Sequence, residues 1–145
     1  MSVTWTDVCA VSDLQPERAV PALVQGRQVA IVRLHDDTVH AVGQRDPYCD
    51  ANVMSRGLVG SVTVEGREVP VIFSPMYKQA FDVRSGRAVA EPSVGLGSWA
   101  VQVIAGRVQV GPCVTEPAGV APAEQAEVAA ASSERARQTV EGGAV

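Results

Sequence analysis

The side chains with the most chemical potential crowd into one stretch, Phe73–Ser74–Pro75–Met76–Tyr77–Lys78–Gln79–Ala80–Phe81–Asp82. It holds the chain's only lysine and three of its six aromatic residues. A second polar stretch, Gln44 to Gly57, adds Arg45, Asp46, Tyr48, Cys49 and Asp50. Cys49, Asp46 and Tyr77 are the residues that could serve as nucleophile or acid/base. No Ser-His-Asp, Cys-His or paired-carboxylate arrangement supports such a use, because the only histidines, His35 and His40, belong to a different hairpin. A cysteine attacks as thiolate, and only Arg45 or Lys78 is at hand to lower the pKa of Cys49, so it reads as an inert structural thiol. His35 and His40 sit on a turn and a strand face without a second ligand in view, and read as structural. Val94–Gly95–Leu96–Gly97 lacks the third glycine and the following helix of a dinucleotide fingerprint, and reads as a strand-edge turn.

The elements that must position these loops are strands. Thr4 to Cys9 alternates as an opening or edge strand, and Arg18 to Gln25 can be extended, with Pro21 arguing for an edge position. Gln28–Leu34 and Thr38–Gly43 flank Asp36–Asp37, and a tight turn there would set Leu34 against Val39 and Val32 against Ala41 on a core-facing side. Leu58–Glu65, Glu68–Phe73, Ala80–Val83 and Arg87–Val89 follow as short strands. Trp99–Ile104 and Arg107–Val110 form a last hairpin around Ala105–Gly106. Short strands at regular spacing, with no convincing helix before Gly111, predict an all-β antiparallel sandwich or barrel in which Gln44–Gly57 and Ser74–Gln79 form a two-loop tip.

A chain of 145 residues, 46% hydrophobic, can bury one modest core, so one domain is expected over residues 1–111. From residue 112 the composition turns to Ala, Glu, Pro, Ser and Gly, and the aromatics disappear. Residues 112–145 therefore read as a tail too poor in apolar bulk to offset its ordering entropy, disordered in isolation. The net charge of −4 and the scattering of ten basic residues among eleven acidic ones before Gly111 argue against nucleic acid. No apolar run spans a bilayer and no signal peptide is visible, so a cytoplasmic protein without a membrane partner is expected. Cys9, Cys49 and Cys113, odd in number and without CxxC spacing, read as reduced thiols.

The order of strands, the first tip loop, then Ser74–Pro75–Met76–Tyr77 and Phe81–Asp82, resembles a Rieske-type iron–sulfur domain. In that family the first loop carries Cys-x-His and the second Cys-Pro-x-His followed by Phe-Asp, so that two thiolates hold one iron and two imidazoles the other. Here Ser74 stands at the cysteine place and Tyr77 at the histidine place, with Pro75, Phe81 and Asp82 retained. In the first loop Asp46 and Tyr48 fall at the ligand places, and a shift by one residue would put Pro47 and Cys49 there instead. Neither register supplies the missing pair, and hydroxyls are no substitute for thiolate or imidazole at iron. No metal or cofactor is expected in this chain, and the cluster positions Asp46, Tyr48, Ser74 and Tyr77 read as vestigial.

The strings Arg45–Asp46–Pro47–Tyr48, Val53–Met54–Ser55–Arg56–Gly57 and Ser74 to Asp82 are similar to the small-subunit family of bacterial assimilatory NAD(P)H-dependent nitrite reductase, over about Trp5 to Val110. The resemblance implies a non-catalytic subunit of a complex whose large subunit carries siroheme, an iron–sulfur cluster, FAD and the NAD(P)H site and reduces nitrite to ammonium. The alternative is a Rieske-type [2Fe–2S] electron-transfer ferredoxin. For a tip without ligands the expected role is contact with the large subunit, with Tyr48, Met76 and Tyr77 as an aromatic and apolar platform rimmed by Arg45, Arg56 and Lys78.

Overall fold

The computed structural model describes residues 3–119. Eleven strands follow one another: β1 (Thr6–Ala10), β2 (Arg18–Val24), β3 (Arg27–Arg33), β4 (Val39–Gly43), β5 (Arg45–Asp46), β6 (Ala51–Asn52), β7 (Leu58–Val64), β8 (Arg67–Phe73), β9 (Ala80–Asp82), β10 (Ser98–Ile104) and β11 (Arg107–Thr115). Two 3₁₀ turns, Val11–Asp13 and Met54–Arg56, complete the set, and among the described residues no helix is long and apolar enough to cross a membrane.

Three hairpins close through two-residue turns whose central residues both have positive φ: Gln25–Gly26 at 48° and 80°, Glu65–Gly66 at 51° and 76°, and Ala105–Gly106 at 51° and 75°. This backbone matches the right-handed twist of the flanking strands, and the second glycine accepts it without penalty. The β3–β4 turn is different. Leu34 N–H bonds Thr38 O at 2.9 Å, Asp37 N–H bonds Leu34 O at 2.9 Å, and Asp37 adopts φ 68°. The Asp36 carboxylate caps the turn by accepting from Thr38 N–H at 3.0 Å. This wider turn shifts the pairing by one from the sequence expectation: Val32 opposes His40, Ile31 opposes Ala41 and Arg33 opposes Val39.

The strands form a six-stranded antiparallel sheet, ordered β1-β11-β10-β4-β3-β2, a three-stranded sheet, β7-β8-β9, and the small β5-β6 ribbon. Pro21 lies on the terminal strand β2, where a missing N–H costs no sheet bond. Arg87–Val89, expected as a strand, is reduced to single bridges, Phe81 with Ala88 and Arg87 with Gly95, because the chain turns there to cross toward β10. The tail expected from residue 112 also begins later: Pro112–Thr115 continue β11 and Ala118 bridges to Gly95. Cys113 opposite Trp99 and Thr115 opposite Ser98 show why, since sheet pairing supplies the order that composition does not. The remainder of that expected tail lies outside the described residues.

Strand β3 is buried on both faces. Ala30 and Val32 join Leu34, Val42, Ile72, Phe81 and Val83 in a core between the two large sheets. Val29 and Ile31 join Leu14, Val24, Ala41, Trp99, Val108 and Val110 in a second core on the other face. That is why Val29–Val32 is uninterrupted apolar sequence rather than an alternation.

The two histidines lie away from the tip and titrate in opposite senses. Burial holds half-buried His40 below the ordinary imidazole pKa, whereas the hydrogen bond to Glu17 holds exposed His35 above it. The unfolded chain keeps a proton at His40 that the folded chain releases, so the His40 contribution falls as pH drops below about 6.5. The His35 contribution is complete below that pH and fades as pH rises through its raised pKa. The loss of melting temperature between mildly alkaline and mildly acidic buffer should therefore be smaller in His40→Gln than in the wild type, and equal slopes would contradict the assignment.

Candidate functional site at the two-loop tip

The first loop leaves β4 at Gly43, where a Cβ would meet the Leu96 carbonyl oxygen at 2.1 Å, so only glycine lets the crossing segment pass this close. The next residue, Gln44, is buried and works as a clamp. Its Nε2 donates to Ser55 Oγ at 2.7 Å, its Oε1 accepts from Ser55 N–H at 2.7 Å, and its backbone oxygen accepts from Met54 N–H at 3.0 Å. The 3₁₀ turn Met54–Arg56 is thereby tied to the root of the loop, and the β5–β6 ribbon folds between them with Asp46 opposite Ala51. The second loop closes on itself: Ser74 N–H bonds Gln79 O at 2.9 Å and Lys78 N–H bonds Ser74 O at 3.0 Å, above the Phe73–Ala80 rung of β8 and β9.

These closures bring together Asp46, Tyr48 and Ser74. Asp46 and Ser74 are 0% and 1% exposed. The Ser74 hydroxyl donates to Asp46 Oδ2, Tyr48 N–H donates to Asp46 Oδ1 at 2.8 Å, and Met76 N–H donates to Ser74 Oγ at 3.2 Å. One buried carboxylate and one hydroxyl thus bind the two loops to each other, and charge-assisted bonds of this kind are the stronger class. Burial first, then the neighbouring Asp46 carboxylate, pushes the Cys49 thiol above its ordinary pKa, so it is protonated rather than nucleophilic. Among the described residues all three cysteines are free thiols.

Tyr48 is 6% exposed, with its hydroxyl donating to Glu91 Oε2 at 3.0 Å and its ring 6.2 Å from that of Phe81. Its position corrects the sequence reading of it as platform surface: the ring fills the interior of the tip. Half-buried Tyr77 packs against the same core. Met76, by contrast, is 56% exposed and stands on the surface. Arg45 is engaged by Asp50, while Arg56 and Lys78 are exposed. Lys78 adopts φ 59°, a left-handed conformation fixed by its bond to Ser74. His35 and His40 line a separate cavity with Glu68 and Arg84.

Four residues of the site escaped sequence reasoning. Glu91 and Gln44 act through contacts set only by the tertiary fold. Leu58 and Phe73 are register partners on one face of the β7–β8 hairpin, with Leu58 75% exposed. The usable signal was the pairing itself, since the Glu65–Gly66 turn fixes Leu58 opposite Phe73.

The chain matches the model of the Rieske-like [2Fe-2S] domain over residues 4–111. It is 34% identical to the Escherichia coli K12 nitrite reductase (NADH) small subunit over 107 residues, 73% of this chain and 95% of that protein. It is also 34% identical over 107 residues to a stretch of the Klebsiella oxytoca nitrite reductase [NAD(P)H] large subunit, and there spans only 11% of that protein's length. The solved structure of the E. coli protein NirD superposes with a TM-score of 0.67 at 32% identity, covering 77% of this chain and 98% of that one. A ferredoxin of carbazole 1,9a-dioxygenase from Nocardioides aromaticivorans gives a TM-score of 0.64 at 25% identity, covering 75% and 98%.

The residues present do not fit the cluster for which the domain family is described. Asp46 and Ser74 are bonded to each other, Tyr48 is bonded to Glu91, and the four positions offer hard oxygen donors where thiolate and imidazole are required. Among the described residues no group of three or more His, Cys, Asp or Glu side chains is disposed to hold a metal ion. A Rieske-like frame matched across residues 4–111, together with 34% identity over 95% of the length of the E. coli small subunit, places the chain: it belongs to the Rieske-like [2Fe-2S] domain family and, within it, to the nitrite reductase (NADH) small subunits.

Proposed function

We propose that this chain is the accessory subunit of a cytoplasmic NAD(P)H-dependent nitrite reductase, inactive alone, and that reduction of nitrite to ammonium takes place on a large subunit carrying siroheme, an iron–sulfur cluster, FAD and the nicotinamide site. The observation that carries this reading is the double match: the same 107-residue stretch aligns with free-standing small subunits and with a tenth of one large subunit. A domain that occurs both inside a catalytic polypeptide and as its own chain is one that works against that polypeptide. The tip is the docking face: Met76, Tyr77, Arg45, Arg56 and Lys78 offer apolar area with a cationic rim, and buried Tyr48 holds them from beneath. The three free thiols agree with a reducing compartment.

The test is co-expression with the large subunit, iron analysis of each separated chain, and a nitrite assay with and without this one. Iron is expected with the large chain alone, and turnover only when the large chain is present. Stoichiometric iron with visible charge-transfer absorbance on this chain would establish the ferredoxin reading instead. What favours that reading is the shared domain family, 25% identity to one ferredoxin and 30% to a chain of an oxygenase–ferredoxin complex, and what opposes it is the absence of thiolate and imidazole at the ligand places.

A further inference from the structure

We propose that a groove on the flank of the tip, between the start of β7 and the second loop, seats an acidic segment of the large subunit: a side chain of leucine or aromatic size enters the pocket, and adjacent carboxylates lie between Arg56 and Lys78. This rests on the accessory-subunit reading and adds Leu58 and Phe73 to the docking face as its apolar anchor.

The pocket measures about 360 Å³ and is lined by Arg56, Leu58, Phe73, Pro75 and Lys78, together with Gly57 and Ser74. The ring of Phe73, register partner of Leu58, lies over Gly60, where an added Cβ would be at an ordinary contact distance of 3.5 Å from Cε2. Leu58 is 75% exposed, the highest value among the large exposed hydrophobic residues of the described chain, and Met76, next in sequence to Pro75 of the lining, is 56% exposed. An apolar patch bounded by charge is the form a docking site takes.

The charges decide the occupant. The lining carries two cations and not one carboxylate, in a chain whose net charge is −4. Arg27, Arg33, Arg45, Arg84 and Arg107 each have a carboxylate partner; among the described residues Arg18, Arg56, Arg67, Lys78 and Arg87 have none, and of these five Arg56 and Lys78 stand together in one pocket lining. Two solvated cations beside an exposed leucine favour a partner that brings negative charge next to apolar bulk. A second copy of this chain docking by two-fold symmetry would set Arg56 and Lys78 against themselves, which is repulsive. On the accessory-subunit reading the polypeptide that brings this negative charge is the large subunit, the kind of chain in which a segment similar to this one also occurs.

The test measures binding of purified large subunit to the full chain carrying Leu58→Asp, Arg56→Glu or Lys78→Glu, with Arg67→Glu at the distant exposed β7–β8 turn as control. Thermal melts establish that each variant is folded. Each groove variant should weaken binding about tenfold or more, and the control by less than about twofold. Added salt should weaken the wild-type complex more than the Arg56→Glu, Lys78→Glu double variant. A photo-crosslinking residue at position 58 should attach to an Asp- or Glu-containing peptide of the large subunit. A wild-type complex that forms but is insensitive to all three substitutions overturns the groove and leaves the accessory-subunit reading standing. Failure of the wild-type complex to form sinks both. Substitutions that alter only self-association, read by sedimentation, would make the occupant a second copy and overturn the proposal.

Discussion

Asp46→Ala is expected to lower the melting temperature by about 10 °C, one of the two largest effects at the tip. The carboxylate is fully buried and accepts from the Ser74 hydroxyl and the Tyr48 amide, so its removal strands two buried donors and severs the link between the loops. Each stranded group costs about 1–3 kcal/mol, and about 3 kcal/mol in sum corresponds to that shift for a domain of this size. Asp46→Asn keeps one oxygen for Tyr48 N–H but turns an amide toward Ser74. Ser74 can turn its hydroxyl to accept from that amide, but its own O–H then loses its acceptor, so a loss of about half is expected. Ser74→Ala should fall between the two, because it leaves a buried carboxylate with one partner fewer. Thermal unfolding followed in the near-ultraviolet, where Tyr48 reports on the tip, checks the order. An Asp46→Ala protein melting with the wild type would mean that the loops are held by something else.

Gly57→Ala should cost about 3 kcal/mol, for a steric reason alone. Its backbone, φ −76° and ψ 166°, is extended and open to any residue. A Cβ at this position would lie 1.9 Å from the Phe73 carbonyl oxygen and 3.1 Å from that of Met54, and neither backbone atom can swing aside as a side chain would. The first rung of β7 and β8, Leu58 with Phe73, must open, and with it the lining of the flank pocket. Gly66→Ala is the matched comparison. Nothing lies within 4 Å of its added methyl and only φ 76° is unfavourable, a strain of about 1 kcal/mol. Urea midpoints should separate the two substitutions clearly. Retention by the large subunit should fall for Gly57→Ala and remain unchanged for Gly66→Ala, and equal midpoints would contradict the close approach.

What the sequence disclosed depended on how local the cause was. Glu65–Gly66 and Ala105–Gly106 announce their hairpins because two adjacent residues determine the turn and the turn determines the register. Asp36–Asp37 announced a turn but not its size, and one residue of error moved every pair of β3 and β4. Val29–Val32 read as a strand with one buried side, because nothing local says that a second core will cover the other. At the tip, matching to a known motif located Asp46, Tyr48, Ser74 and Tyr77. It did not disclose that the Asp46 and Ser74 side chains bond across 28 residues, nor that Tyr48 reaches Glu91 across 43. Those contacts exist only once both sheets are assembled. Exposure of Leu58 went unread and burial of Tyr48 was misjudged for the same reason: residue type gives the affinity for an interior, whereas topology decides which positions have one.

The bond between Ser74 and Asp46 also bears on how the protein matures in the cell. A Rieske domain with a bound cluster joins its two loops through iron and sulfide that its own chain does not contain. Here the two loops are fastened by atoms that leave the ribosome with the chain. Its supply should therefore be insensitive to iron starvation, chelators and air.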